Sequence, residues 1–302
     1  MVVMKKTAVF FKKYLLPYFI LMRFHRPVGV VLLLWPTLWA LWIAGYGHPS
    51  SKNIIIFLLG VIVTRAAGCV INDIADRQFD RHVARTKNRP LTANQIPVSH
   101  ALVLLFFLCV FALILVCLTN ALTVQLAFVA VIIAAIYPFM KRFTHWPQVV
   151  LGIAYSMSIP MAFAAQTEVV PLAAFILFFA NIAWTIAYDT EYAMVDREDD
   201  IKIGIKSTAI LFGQYDRIMI GVFQGIFLSM LCVLGLLLSF PAHFFLLLIP
   251  VVGLFFYQHY LIQDRIPVRC FSAFLNNQWV GAWVWIVVVS SSARIIFVSA
   301  AQ

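Results

Sequence analysis

Acidic residues are scarce: the 302-residue chain has twelve Asp and Glu against 22 Lys and Arg. Charged residues of both signs make up only 11% of it, too few to cover a water-soluble domain of this length. No long hydrophilic block interrupts the chain, so the reading is one integral-membrane domain over 1–302. The five cysteines (Cys69, Cys109, Cys117, Cys232, Cys270) form no CxxC pair and read as free thiols behaving as small hydrophobes. The seven histidines include no pair at metal-binding spacing, which argues against zinc or iron. No small-residue cleavage site follows the basic N-terminus, so residues 1–26 read as a cytoplasmic or interfacial segment rather than a removable signal.

What is abundant is apolar sequence, at 63% of all residues. Runs of the length that crosses a bilayer core, about 17–25 residues, recur from end to end. They predict an all-α, polytopic bundle of about nine transmembrane helices, near 27–46, 53–71, 101–119, 121–139, 147–165, 170–190, 217–239, 241–261 and 275–297. The net charge of +10 does not form a stripe suited to nucleic acid. With the N-terminus placed in the cytoplasm, nineteen of the 22 Lys and Arg fall on one side, as the positive-inside rule expects. Connections on the other side, such as "LTNAL" and "SFPAH", carry no Lys or Arg. This predicts an inner-membrane, multi-pass protein with its motif-bearing loops forming a cytoplasmic cap.

Nine of the twelve acids occupy two segments on that same side. Asp73, Asp76 and Asp80 follow the second run; Asp189, Glu191, Asp196, Glu198, Asp199 and Asp200 follow the sixth. Asp76 to Asp196 and Asp80 to Asp200 are each separated by 120 residues, or four spans, which hints at two related halves facing one cavity. On a helix, Asn72, Asp76 and Asp80 form one stripe, and Asp189, Asp196 and Asp200 form another. Carboxylates this close repel one another; two unit charges 4 Å apart cost about 4 kcal/mol at an effective dielectric of 20. A solvated acidic face balanced by local Lys and Arg is one reading. The other is Mg²⁺, which takes one or two carboxylates, keeps waters and completes its shell with phosphate oxygens. Two facing stripes would then clamp a diphosphate.

The strings carrying these acids resemble a known family. "NDIADRQFD" is similar to the NDxxDxxxD motif of the UbiA-type intramembrane prenyltransferases, and "YDTEYAMVDREDDIKIGIKSTA" to their DxxxxxxDxxxD motif. "RFHRPVGVVLLLWPTLWAL", "KNRPL" and "YPFMKRFTHWPQ" extend the resemblance over essentially the whole chain, nearest to the branch acting on 4-hydroxybenzoate. It implies Mg²⁺-dependent transfer of a polyprenyl group from its diphosphate to the ring carbon ortho to the hydroxyl of 4-hydroxybenzoate, in ubiquinone biosynthesis. The implied substrates are polyprenyl diphosphate and 4-hydroxybenzoate, with membrane lipid around the protein; protein partners stay unassigned.

On this reading Asn72, Asp73, Asp76, Asp80, Asp189, Asp196 and Asp200 hold metal, and Asp76, Asp80, Asp196, Asp200 and Tyr137 serve catalysis. Arg77 and Lys141 are expected to bind diphosphate, with Lys202 and Lys206 as weaker candidates; membrane-surface anchoring is the alternative for all four. Tyr137 stands one turn before Lys141 in a family-like YxxxK, placed to stabilise an allylic cation. Arg142, with Arg26 as second choice, is expected to pair with the acceptor carboxylate through a planar guanidinium. Other acceptors (homogentisate, dihydroxynaphthoate, haem) would keep the acid motifs and change the acceptor pocket. A CDP-alcohol phosphotransferase is disfavoured, because "RQFD" follows Asp76 where that class needs a glycine. A cation-coupled transporter would place acids near the bilayer midplane rather than at span ends.

Overall fold

The computed structural model describes residues 15–82 and 86–292; the N-terminal Lys5, Lys6, Lys12 and Lys13, and Arg85, lie outside them. Among the described residues every regular element is helical. In chain order these are α1 (Leu16–Leu21), α2 (Val28–Ala44), α3 (Ser51–Asp76), α4 (Val98–Cys117), α5 (Ala121–Phe143), α6 (Pro147–Ser156), α7 (Ser158–Thr167), α8 (Leu172–Ile203), α9 (Thr208–Phe212), α10 (Asp216–Leu237), α11 (Ala242–Leu246), α12 (Ile249–Leu261) and α13 (Pro267–Ser292).

Seven helices or collinear helix pairs among the described residues are long and apolar enough to cross a membrane. The sequence pattern suggests nine. The difference lies in α2, apolar but only 17 residues long, and in α13, whose middle carries Asn276, Asn277 and Gln278. Two expected spans are broken. Pro160 lacks the N–H that would bond to the Ser156 carbonyl, and α6 gives way to α7 at Met157. Pro250 does the same between α11 and α12.

α4 and α5 face outward: Phe106 and Phe107 are 63% and 61% exposed, and Val131 and Ile132 61% and 60%. In water such a surface would aggregate; in a bilayer it meets hydrocarbon. The core lies instead between α2, α8, α10 and α13. There Trp39, Trp184 and Phe227 pack ring on ring, with Trp184 5.2 Å from Trp39 and 5.7 Å from Phe227. Each indole N–H is satisfied: Trp39 donates to the Gly281 carbonyl (3.0 Å) and Trp184 to Asn277 Oδ1 (2.8 Å). Gly281 lets α13 approach α2, since a Cβ there would collide with the Trp35 ring.

The helices repeat at about the 120-residue spacing of the acid motifs: α3 corresponds to α8, α4 to α10, α5 to α11–α12, and α6–α7 to α13. The backbone joins the halves where the motifs lie, as the Lys206 N–H donates to the Lys141 carbonyl (2.9 Å).

Candidate active site

The first motif sits where α3 ends. Asn72, Asp73 and Asp76 occupy its last turns, and Asp80 opens a short 3-10 turn, Asp80–His82, so the expected helical stripe bends before its third acid. The second motif keeps its expected helical stripe throughout: α8 continues from its apolar half through Asp189, Asp196 and Asp200 to Ile203, past the span end expected near residue 190. Gly204 stops it at φ +72°, its N–H bonding to Ile201 O (3.3 Å) while the Ile205 N–H bonds to Asp200 O (3.0 Å).

All seven expected metal ligands, Asn72, Asp73, Asp76, Asp80, Asp189, Asp196 and Asp200, line one cavity of about 870 Å³. Cations stand among them. Arg23 reaches Asp73 (2.8 Å), Arg89 bridges Asp73 (3.1 Å) and Asp80 (2.6 Å), and Lys141 holds Asp76 (2.5 Å). Arg23 adopts φ +61°, the left-handed region that strains any residue with a Cβ, in the turn that aims its guanidinium at Asp73. Burial pushes the Arg23 guanidinium below its ordinary range, partly offset by Asp73. Burial, with Arg23 and Arg26 nearby, pushes the His25 imidazole below its ordinary range.

These pairs do not exhaust the carboxylates. Asp73 Oδ2 and Asp76 Oδ1 are buried with no hydrogen-bond partner. An acid oxygen withheld from water and left unpaired is costly, and a cation at that spot would satisfy it. Among the described residues no three His, Cys, Asp or Glu side chains converge as a ready-made cage.

Of the other expected residues, Tyr137, Lys141, Lys206 and Arg26 line the same cavity. Lys206 Nζ, however, donates to the Phe143 carbonyl at 3.2 Å. Arg77, Arg142 and Lys202 do not line it. Arg77 ties the end of α3 to the following loop, donating to Leu91 O (3.3 Å) and Asn94 Oδ1 (2.5 Å). Arg142 donates to the Ala75 carbonyl (2.6 Å) and lies over the rings of Phe79 and Phe139, 4.9 and 5.3 Å from their centroids, behind the first motif. Lys202 is exposed and faces Asp199 at 3.4 Å.

Sequence reasoning passes over Arg23, Arg89 and above all Arg65. Arg65 lies three turns before Asp76 inside the apolar run of α3 and lines the cavity. Among the described residues it has no carboxylate within ion-pairing distance. Tyr137, Tyr155 and Asp189 line the same cavity and act electrostatically on it or feel its charge. The signal available was its position: one charge in the middle of a membrane-length run is a functional residue by default. Gly29 on α2 makes room for it, since a Cβ there would collide with the guanidinium. Beyond this polar end the cavity runs between α3, α4 and α5 along Cys109, Ala112, Leu115, Val124, Ala127 and Val131.

A membrane-embedded helical bundle with two acid motifs facing one cation-ringed cavity defines a class of enzyme, the intramembrane prenyltransferases. The profile of the UbiA prenyltransferase family matches residues 33–289, and the chain belongs to that family. It is 55% identical over 269 residues to the 4-hydroxybenzoate octaprenyltransferase of Coxiella burnetii, covering 89% of this chain and 94% of that one. The fold matches the apo structure of a UbiA homolog from Aeropyrum pernix (TM-score 0.74, 20% identity, 89% of this chain and 98% of that one). It also matches a UbiA homolog from Archaeoglobus fulgidus bound to GPP and Mg²⁺ (TM-score 0.68, 19% identity, 90% of this chain and 99% of that one).

Proposed function

We infer that this chain transfers a polyprenyl group from polyprenyl diphosphate to the carbon ortho to the hydroxyl of 4-hydroxybenzoate, releasing diphosphate, as a step of ubiquinone biosynthesis. The observation that carries the reading is that two acid motifs, 120 residues apart, line one cavity that is ionic at one end and apolar beyond. The relative of Coxiella burnetii, named for this activity, supports the choice of acceptor.

The orphaned oxygens of Asp73 and Asp76 fit a divalent cation. Asn72, Asp73, Asp76 and Asp80 on one side would hold one such ion and Asp189, Asp196 and Asp200 on the other a second, and the Archaeoglobus fulgidus homolog bound to GPP and Mg²⁺ supports magnesium. When bound, Mg²⁺ stabilises the negative charge that develops on the departing diphosphate. Arg23, Arg89 and Lys141, already paired with the first-motif acids, supply donors to the remaining phosphate oxygens. The apolar stretch between α4 and α5 takes the prenyl tail, which needs no water-filled tunnel.

Breaking the bond between the prenyl carbon and the diphosphate oxygen leaves an allylic cation. Tyr137, Tyr188, Tyr192 and Phe274 line the cavity where it forms, and each ring facing a cation contributes about 0.5–2 kcal/mol. The acceptor carboxylate pairs with Arg65, which lines the cavity and among the described residues is held in no ion pair, rather than with Arg142, which lies outside the cavity with Nη2 bonded to the Ala75 carbonyl. The ring carbon then bonds to the prenyl carbon and loses its proton to a carboxylate of the acid motifs. Nineteen of the 22 Lys and Arg lie on the motif-bearing side, which supports an inner-membrane protein with its N-terminus and active site facing the cytoplasm.

The test is a membrane assay with Mg²⁺, prenyl diphosphates of several lengths and a panel of aromatic acceptors. The expected result is diphosphate release that requires 4-hydroxybenzoate and stops on chelation. Release driven by homogentisate or dihydroxynaphthoate instead would reassign the acceptor.

A further inference from the structure

A second polar cavity lies apart from the active site, where α10 begins and α12 ends. It measures about 380 Å³, opens at the surface and is lined by Gln214, Arg217, Ile218, His259 and Arg265. Its cations are unequally engaged. Arg265 is consumed by the fully buried Asp216, donating from Nε (2.9 and 3.1 Å) and Nη2 (2.8 Å), and also bonds to the Gln214 carbonyl (2.8 Å). Arg197, from the second acid motif, holds the same carboxylate, and the Arg217 N–H caps it at 2.7 Å. Asp216 is thus enclosed, its charge balanced by Arg197 and Arg265. The Arg217 guanidinium has a single long bond, from Nη1 to the Gln263 carbonyl at 3.5 Å, and its Nε is buried with no partner.

The neighbouring polar groups are organised rather than free to rescue it. His259 Nε2 lies 3.0 Å from Gln224 Oε1; Gln224 donates to Gln258 (2.8 Å), and Gln258 to Asn276 (3.0 Å). This chain fixes the imidazole at the cleft wall while leaving Arg217 in need of an acceptor. Asp264 is taken by Arg269 at 2.5 Å. Below the cleft the surface turns apolar, with Ile218 and Val222 exposed, and exposed Tyr215, Tyr257 and Tyr260 mark a membrane–water boundary.

We propose that this cleft is a phosphate-binding subsite that takes the phosphodiester of an acidic phospholipid from the surrounding leaflet. A guanidinium with one long bond and a partnerless Nε, at a cleft with an apolar face beside it, supplies the elements that recognise an anionic headgroup whose acyl chains remain in the bilayer. The lipid would be anchored next to Asp216, and through Arg197 next to the helix that carries the second acid motif.

Native mass spectrometry of the full chain in neutral detergent, titrated with phosphatidylglycerol, phosphatidylcholine or inorganic phosphate, tests this. One phosphatidylglycerol should be retained in preference to phosphatidylcholine. Arg217→Gln should weaken retention about ten-fold, the scale of one charge-assisted hydrogen bond. Gln214→Glu, which adds a negative charge at the exposed rim without touching the core, should weaken it too. Lys52→Gln, a loss of exposed positive charge at the start of α3, away from the cleft, should leave it unchanged. Equal retention of both lipids, or retention untouched by Arg217→Gln and Gln214→Glu, would overturn the proposal. Binding of inorganic phosphate without retention of phosphatidylglycerol would overturn its assignment to lipid.

Discussion

Arg65 shows how one residue shapes the account. A guanidinium in the middle of α3 is expensive in a membrane unless something in the cavity uses it, and the acceptor carboxylate is the group of matching charge and shape. Arg65→Ala should raise the KM for 4-hydroxybenzoate by about 10- to 100-fold, as expected for loss of a charged pair of about 1.5–3 kcal/mol, and leave the KM for the diphosphate substrate nearly unchanged. Gly29→Ala should act in the same direction by pushing the guanidinium aside. Arg142→Ala should behave differently. It removes the bond to the Ala75 carbonyl and loosens the first motif, so kcat should fall with both substrates rather than one KM rising. Steady-state kinetics with each substrate varied in turn separate these outcomes. The sequence made the acids legible, because they are scarce and regularly spaced. It did not reveal which cations face them, since Arg77 and Arg89 look equivalent in the same loop until the loop's path is known.

Among the elements, α8 joins two readings of the pattern. Its apolar half reads as a span ending near residue 190 and the acids beyond it as a helical stripe, and one helix covers both, to Ile203. Continuation brings Asp189, Asp196 and Asp200 to one cavity on a rigid rod, which positions ligands better than a loop. The mark of its true end is Gly204, whose left-handed φ of +72° only glycine adopts without penalty. Gly204→Ala should cost about 1 kcal/mol, read as a lower unfolding midpoint in detergent, with a modest loss of turnover as the end of α8 frays. The breaks at Met157 and ahead of α12 are likewise visible in the sequence as Pro160 and Pro250, but hydropathy alone averages over them.

For the whole molecule, the 120-residue offset between the motifs matches the offset between helices α3–α7 and their counterparts α8–α13, so two similar halves each present an acidic helix end to a common hollow. Length and apolarity single out seven spans where the hydrophobic pattern suggests nine, because a helix buried in the bundle can be short, like α2, or carry amides, like α13. The ionic site at the end of the bundle and the apolar cleft beside it bring a water-soluble acid and a lipid-borne donor together. That arrangement depends on both motifs serving one diphosphate. The most direct measurement is the affinity of a non-reacting prenyl thiodiphosphate for the full chain, with and without Mg²⁺, in wild type, Asp76→Asn, Asp196→Asn and the double variant. Binding should require Mg²⁺, fall at least ten-fold in each single variant, and fall little further in the double. Full affinity after chelation, or wild-type affinity in either single variant, would contradict the account.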